Sequence, residues 1–310
     1  MDKKVWKVSR AIKSMVYEGL NYGDLGFCLG KTKLVRDAGL PYTFGGDAEK
    51  SLRGRINYLL ACILYLLPHN FISKFVELPS FMFPTWYKII DGHKFTIREG
   101  EKSSVVRGIL ADYKLVDSWE PNTQRVIREK VKVGDVCVDI GASMGDITMA
   151  LAREVGPTGK VIAIEPTERC FNYLCMNIKA NGYENIFPYK IAAYDKNELV
   201  EMPKNDFNPI YCNGWNMSDF LDKIGEKKID FIKIDVDGPE PLVLRGLIPV
   251  FEANPQLKMI VEWYQKYIEG ADCSPDEFWE IINKYFTWTK IEGDYCEEYY
   301  NIYAERKLAM

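Results

Sequence analysis

Val136-Cys137-Val138-Asp139-Ile140-Gly141-Ala142-Ser143-Met144-Gly145-Asp146 constrains the fold more than any other stretch of this chain. Its apolar run reads as a buried strand, its two glycines as a tight turn, and Ile147, Met149, Ala150 and Leu151 as the start of a helix. Open α/β sheets bind ligands at such turns, where strands end at their carboxyl edge. The same alternation continues downstream. Strands are predicted at 136–140, 161–165, 186–190, 229–235 and 257–263. Helices are predicted at 146–155, 168–180, 217–224 and 239–252, with a polar, irregular stretch from about 190 to 216. A helix at 275–285 precedes strands near 286–291 and 299–305, which a short loop would join as an antiparallel hairpin. Ahead of the turn, a strand pair at 88–97 and a helix at 122–130 are expected. The class is therefore α/β, a mostly parallel sheet with helices on both faces.

Residues 1–95 follow a different pattern and are set apart as an N-terminal, mainly helical and aromatic extension, leaving 96–310 as the α/β domain. Val5, Val8, Ile12, Val16 and Leu20 share one helical face, with Lys3, Lys7, Arg10 and Ser14 on another. The aliphatic run Tyr58 to Leu67, closed by Pro68, is too short for a bilayer span of about 20 residues. Phe71, Phe75, Phe81, Phe83, Trp86 and Tyr87 follow it. Two readings fit these segments: a helical cap on the main domain, which is preferred, and peripheral contact with a membrane surface. Lys and Arg interrupt the first 20 residues, so no secretory signal is read there. The eight cysteines form no C-x-x-C pair, which suits reduced thiols in a cytoplasmic setting better than a zinc site or disulfide framework. A formal net charge of −4 gives no global field for nucleic acid, and none is expected as a partner.

The turn discriminates among cofactors. A dinucleotide fingerprint counted from Gly141 would need glycines where Ser143 and Asp146 stand, and the G-K-[ST] ending of a P-loop is missing. Asp139 and Asp146 would repel a pyrophosphate at the helix start. They suit a ligand carrying an ammonium or sulfonium, and S-adenosyl-L-methionine carries both. Glu165, ending the second strand, can accept from both hydroxyls of a ribose. In Ile229-Asp230-Phe231-Ile232-Lys233-Ile234-Asp235-Val236-Asp237-Gly238-Pro239-Glu240, a lysine lies inside a buried strand, where it needs a partner. Lys233 and Asp235 share a strand face, and Glu262 on the next strand is expected to contact Lys233. His69 and His93 both precede the turn, so the region after it contains no histidine base.

VDIGASMGDIT, AIEP and IDFIKIDVDGPEPLVLRG together resemble the FkbM family of class I methyltransferases, over about residues 110–265. Trp119-Glu120-Pro121 also resembles the family's segment ahead of the first strand. Ser143 stands where the family usually has Asn, Asp237 where it has Glu, and Pro239 where it has Ala. The resemblance implies a Rossmann-like sheet of seven strands. It further implies methyl transfer from S-adenosyl-L-methionine, giving S-adenosyl-L-homocysteine, often to a sugar or polyketide hydroxyl. By position, Asp139, Gly141, Ala142, Ser143 and Gly145 would hold the methionine part and Glu165 with Pro166 the ribose. Ala192 or Ala193, with Tyr194 and Asp195, would lie near the adenine, and Asp235 near the reacting methyl.

The expected catalytic residues are Lys233, Asp235 and Glu262, any of which could take the proton of a hydroxyl. Asp235, Asp237 and Glu240 could also gather a divalent cation, although acids solvating a helix start are the preferred reading. The expected acceptor is a glycan or similar small polar molecule methylated on a hydroxyl. The alternatives are a small amine, or a non-catalytic adaptor that keeps the fold.

Overall fold

The computed structural model describes residues 85–98, 117–205 and 208–307. The chain divides into two compact units, residues 1–88 with 97–101 and residues 89–96 with 102–310. The helical pattern at 3–20, the run at 58–67 and most of the extension expected over 1–95 lie outside the described residues. No helix among the described residues is long and apolar enough to cross a membrane.

The expected N-terminal strand pair is β1 (Thr85–Ile90) and β2 (His93–Arg98). Helix α1 (Pro121–Lys130) precedes β3 (Val136–Ile140), α2 (Asp146–Val155), β4 (Lys160–Ile164), α3 (Glu168–Asn181) and β5 (Ile186–Tyr189). Next come β6 (Ala192–Tyr194), β7 (Glu198–Asn205), β8 (Asn208–Asn216), α4 (Met217–Lys223) and β9 (Phe231–Ile234). The chain continues through α5 (Glu240–Gly246), α6 (Ile248–Ala253), β10 (Lys258–Tyr264) and α7 (Gln265–Gly270). It ends with α8 (Pro275–Tyr285), β11 (Phe286–Lys290) and β12 (Tyr299–Arg306).

Seven strands form one sheet in the order β11-β12-β10-β9-β3-β4-β5. The run from β10 to β5 is parallel, and β12 pairs antiparallel with β10 and β11, as the predicted terminal hairpin requires. This is the Rossmann-like α/β architecture expected from the sequence.

Two expectations need correction. The stretch between 190 and 216 is not irregular: β6, β8 and β7 form a small separate sheet. No apolar alternation marks it, because Leu199 and Tyr211 stay exposed and backbone pairing supplies the order. The single helix expected at 239–252 is two, broken at Leu247, because Pro249 lacks the N–H that a continuous helix would use. The short α7 was not expected at all.

Strand periodicity divides the chemistry from the main core. Val138, Ile140, Ile162, Ile164, Ile232, Ile234, Met259 and Val261 pack in one cluster with Phe220 and Leu221 of α4, Val243 and Leu244 of α5, and Phe278 of α8. Alternation then sends Asp139, Lys233, Asp235 and Glu262 to the opposite face. Asp139 and Lys233 are direct neighbours in the β3–β9 register.

Candidate active site

The chain steps from β3 to β4 on one side and returns to β9 on the other, so the strand order, not the strand direction, reverses between β3 and β9. Such a switch point opens a crevice at the carboxyl ends of the strands. Gly141 occupies its floor. The N–H groups of Gly141 and Ala142 both donate to the Ile164 carbonyl at 2.9 Å, and Asp235 N–H donates to the Ile140 carbonyl at 2.9 Å. A Cβ on Gly141 would lie 1.6 Å from the Asp235 carbonyl oxygen, and its φ is +86°. Glycine is required there for closeness and for conformation together. Gly145, at φ +97°, starts α2, and a Cβ would meet Leu174 at 2.7 Å. Between them Ser143 also takes a positive φ of 48°, which turns its N–H toward Glu165 Oε2 at 2.9 Å.

The proposed cofactor residues do different jobs. Asp139 is fully buried and accepts from Thr148 Oγ1 at 2.5 Å, so it ties β3 to α2 beneath the turn. Burial pushes its carboxyl up to about 6, against the opposing effects of the Thr148 hydrogen bond and the Lys233 charge. Glu165 is buried at the end of β4 and accepts from the N–H of Thr167 at 2.8 Å and from its hydroxyl. Burial raises its carboxyl despite those bonds. Pro166 beside it is half-buried, while Ala192 and Ala193 are buried on β6. Cys212 on β8 adds to this wall: it receives the Ala192 N–H and feels the Glu165 charge. No sequence pattern singled it out.

Asp195 follows β6, and one of its oxygens accepts from Arg245 at 2.5 Å, while Arg245 forks onto Glu277. Its other oxygen is buried with no partner. An orphaned buried acceptor costs about 1–3 kcal/mol, which a donor such as an aminopurine N–H would recover. The residues present therefore fit an adenosine-bearing cofactor, with Glu165 for the ribose and Asp195 for the base.

The second cluster surrounds Lys233, which is 1% exposed. Its Nζ lies 3.0 Å from Asp235 Oδ2. Burial opposes the ammonium charge, but Asp235, Glu120 and Glu262 outweigh it and hold the lysine above its ordinary value. That balance favours the ammonium form, and the 3.0 Å contact places Lys233 to orient the Asp235 carboxylate. The contact expected between Lys233 and Glu262 is not the ion pair observed. The β9–β10 register sets Ile260 against Lys233 and carries Glu262 one turn of the pleat further, where it accepts from Tyr299 OH at 2.8 Å. Burial, reinforced by Asp235, raises the Glu262 carboxyl well above the usual range.

The expected trio of Asp235, Asp237 and Glu240 also changes. Glu240 turns into its own loop, accepting from Gly238 N–H at 3.0 and 3.2 Å and Val236 N–H at 3.1 Å, and burial pushes it up to about 7. Asp235, Asp237 and Glu262 instead bring one oxygen each within 4.8 Å of one another. These three could hold a hard cation, but the Lys233 ammonium already competes for Asp235. Asp237, at a left-handed φ of 57°, is raised to about 6 by its enclosure and by Asp235. Tyrosines border the acids: Tyr264 packs on Tyr267 at 4.6 Å and Tyr299 at 5.0 Å, and Tyr299 on Tyr295 at 4.1 Å between ring centres. Only three-dimensional proximity links these rings, so the sequence offered no signal for them.

Residues 139–287 match a protein-family model described as the methyltransferase FkbM domain. This segment is an FkbM-type methyltransferase domain. The FkbM domain takes in the glycine turn, Glu165, Asp195, Lys233, Asp235 and Glu262, and the family implies S-adenosyl-L-methionine as methyl donor. Among curated proteins, a tRNA adenine-N1-methyltransferase of Methanocaldococcus jannaschii is 26% identical over 214 residues, covering 68% of this chain and 71% of its own. A demethylmenaquinone methyltransferase of Lactobacillus johnsonii is 34% identical over 77 residues, only 30% of its length. Among solved structures, an FkbM methyltransferase of Methylobacillus flagellatus is 15% identical, with a TM-score of 0.42, over 64% of this chain and 53% of that one. An O-methyltransferase of Bacillus cereus bound to S-adenosyl-L-homocysteine is 18% identical, with a TM-score of 0.44, over 67% and 93%.

Proposed function

We propose that this S-adenosyl-L-methionine-dependent methyltransferase methylates a hydroxyl of a glycan or similar small polar acceptor, and that Asp235 takes the hydroxyl proton. The Lys233–Asp235 pair carries the reading. Asp235 keeps 28% of its side chain exposed at the carboxyl edge of β9, while its lysine partner is enclosed behind it. An acceptor oxygen can therefore reach the carboxylate but not the ammonium. The bound cofactor supplies an electrophilic methyl group. The chain's own residues align the acceptor, exclude water and accept the proton. Lys233 fixes the Asp235 carboxylate. Glu262, whose burial favours its protonated form, is placed to share a hydrogen bond with the acceptor or with Asp235. Tyr267, 45% exposed and within the field of Asp237 and Glu262, offers a flat apolar face beside hydroxyl-binding oxygens. The catalytic unit in this reading is residues 96–310, with 1–95 as an extension.

The test is a screen with radiolabelled S-adenosyl-L-methionine against panels of glycans, small amines and transfer RNA. Label should enter the glycan panel through an alkali-stable ether, and Asp235→Asn should lower the rate at least ~100-fold without weakening S-adenosyl-L-homocysteine binding in calorimetry. Label entering only amines or RNA would overturn the hydroxyl assignment. Absence of cofactor binding would overturn the enzyme reading itself.

A further inference from the structure

Arg245, near the end of α5, joins three elements through one guanidinium. Its Nε donates to Glu277 Oε1 at 2.7 Å and its Nη2 to Glu277 Oε2 at 2.6 Å. Two parallel bonds to one carboxylate fix the plane of the guanidinium. Glu277 lies in the first turn of α8, so the plane is set by a helix outside the cofactor wall. The remaining nitrogen, Nη1, is thereby directed at Asp195 Oδ2, at 2.5 Å. Arg245 itself keeps 42% of its side chain exposed. Ion pairs at such exposure add little to stability, so this fork is poorly explained as a structural brace.

Asp195 differs from its partner in being enclosed, with 6% of its side chain exposed. Its backbone is held from two sides. Its carbonyl accepts from Asn216 Nδ2 at 2.9 Å, and Asn216 N–H donates to Asn197 Oδ1 at 2.8 Å. On the other side, a Cβ on Gly246 would lie 3.2 Å from the Asp195 Cα. The carboxylate torsion is the freedom left, and for aspartate it is broad. Arg245 removes that freedom by taking Oδ2. Oδ1 is then a fixed, buried acceptor with no partner among the described residues. A carboxylate oxygen can only accept, so it welcomes an N–H and repels a carbonyl oxygen.

We propose that Arg245, held by Glu277, is a positioning residue that sets base selectivity: by clamping Asp195 Oδ2 it fixes Oδ1 as the acceptor for a 6-aminopurine and against a 6-oxopurine. This rests on the reading that Asp195 faces the cofactor's base, which the parent chain tests separately. The role belongs to the geometry of the fork rather than to its charge. A lysine at 245 would keep the charge but, as a point donor on a flexible stem, could not hold Glu277 and Asp195 in one plane. Glu277 is part of the same device although it makes no contact with the cofactor wall except through Arg245. Removing it frees the guanidinium to turn, and the carboxylate of Asp195 turns with it.

The experiment compares two ligands by calorimetry in the full chain: S-adenosyl-L-homocysteine and S-inosyl-L-homocysteine, in which a carbonyl replaces the 6-amino group. The parent should bind the adenosyl ligand at least ~10-fold more tightly. Equal affinities in the parent would overturn the reading of Asp195 at the base, and the proposal with it. Given a preference in the parent, Arg245→Lys and Glu277→Ala should each shrink it by about fivefold, through loss of affinity for the adenosyl ligand alone. Variants that weaken both ligands by the same factor, or that keep the parent's preference, would overturn the proposal and leave Arg245 a structural contact between α5 and α8. Urea denaturation of the same samples verifies that the fold persists. If Arg245→Lys does not fold, Glu277→Ala decides.

Discussion

Lys233 is the residue on which the site's electrostatics turn. Asp139, Asp235, Glu120 and Glu262 all feel its charge, and three of them are almost wholly buried. Removing one member of a buried ionic group leaves the rest uncompensated, at a typical cost of about 3–5 kcal/mol. Lys233→Met should therefore lower unfolding stability at neutral pH by roughly that amount, measured by urea denaturation. The loss should shrink at pH 5, where more of the carboxyls hold protons. A loss under ~1 kcal/mol at pH 7.5 would mean that the acids are neutral without the lysine. That Lys233 needs a partner follows from its place in an apolar strand. Which acid serves follows only from register, because the pleat decides whether Glu262 or Asp235 faces it.

Elements show where the sequence is legible and where it is not. β3, β4, β9 and β10 declare themselves by apolar runs, interrupted inside three of them only by Asp139, Lys233 and Glu262, because both of their faces are covered. α2 and α3 follow from glycine and cap signals at their ends. The sheet β6-β8-β7 left no such trace, because its buried strand β6 is only three residues long while Leu199 of β7 and Tyr211 of β8 stay exposed. Yet it bears on function through β6, where Tyr194 leads into Asp195. Gly246, closing α5, approaches that strand so closely that a Cβ would lie 2.3 Å from the Tyr194 carbonyl oxygen. Gly246→Ala must push α5 away from β6 and drag Arg245 off Asp195. The expected outcome is a loss of about 1–3 kcal/mol in stability and about tenfold weaker S-adenosyl-L-homocysteine binding, roughly 1.4 kcal/mol. Calorimetry and urea titration on the same samples read both. Unchanged affinity with the full stability loss would separate Asp195 from the cofactor.

At the scale of the whole molecule, the buried acids make stability depend on pH in an unusual direction. Asp139 is raised from 3.8 to about 6 and Glu240 from 4.5 to about 7, both mainly by burial. The folded chain therefore holds more protons than the unfolded chain between about pH 4 and pH 7. Stability from these two groups is fully present below their unfolded values and is lost as pH rises through 6 and then 7. A tenfold difference in proton affinity between the folded and unfolded chain corresponds to about 1.4 kcal/mol, so the combined decline amounts to a few kcal/mol. Paired surface carboxylates such as Glu305, whose bond from Tyr303 holds it low, work the opposite way, but that group lies largely in solvent and contributes little. Urea midpoints should accordingly fall between pH 5 and pH 8. Glu240→Gln keeps a carbonyl oxygen for the Gly238 N–H but cannot ionise, so it should flatten the upper half of that decline. If the variant and the parent fall in parallel from pH 6 to pH 8, the ionisation of Glu240 is not what the fold resists, and the loop at 236–239 must tolerate the charged carboxylate through its N–H donors.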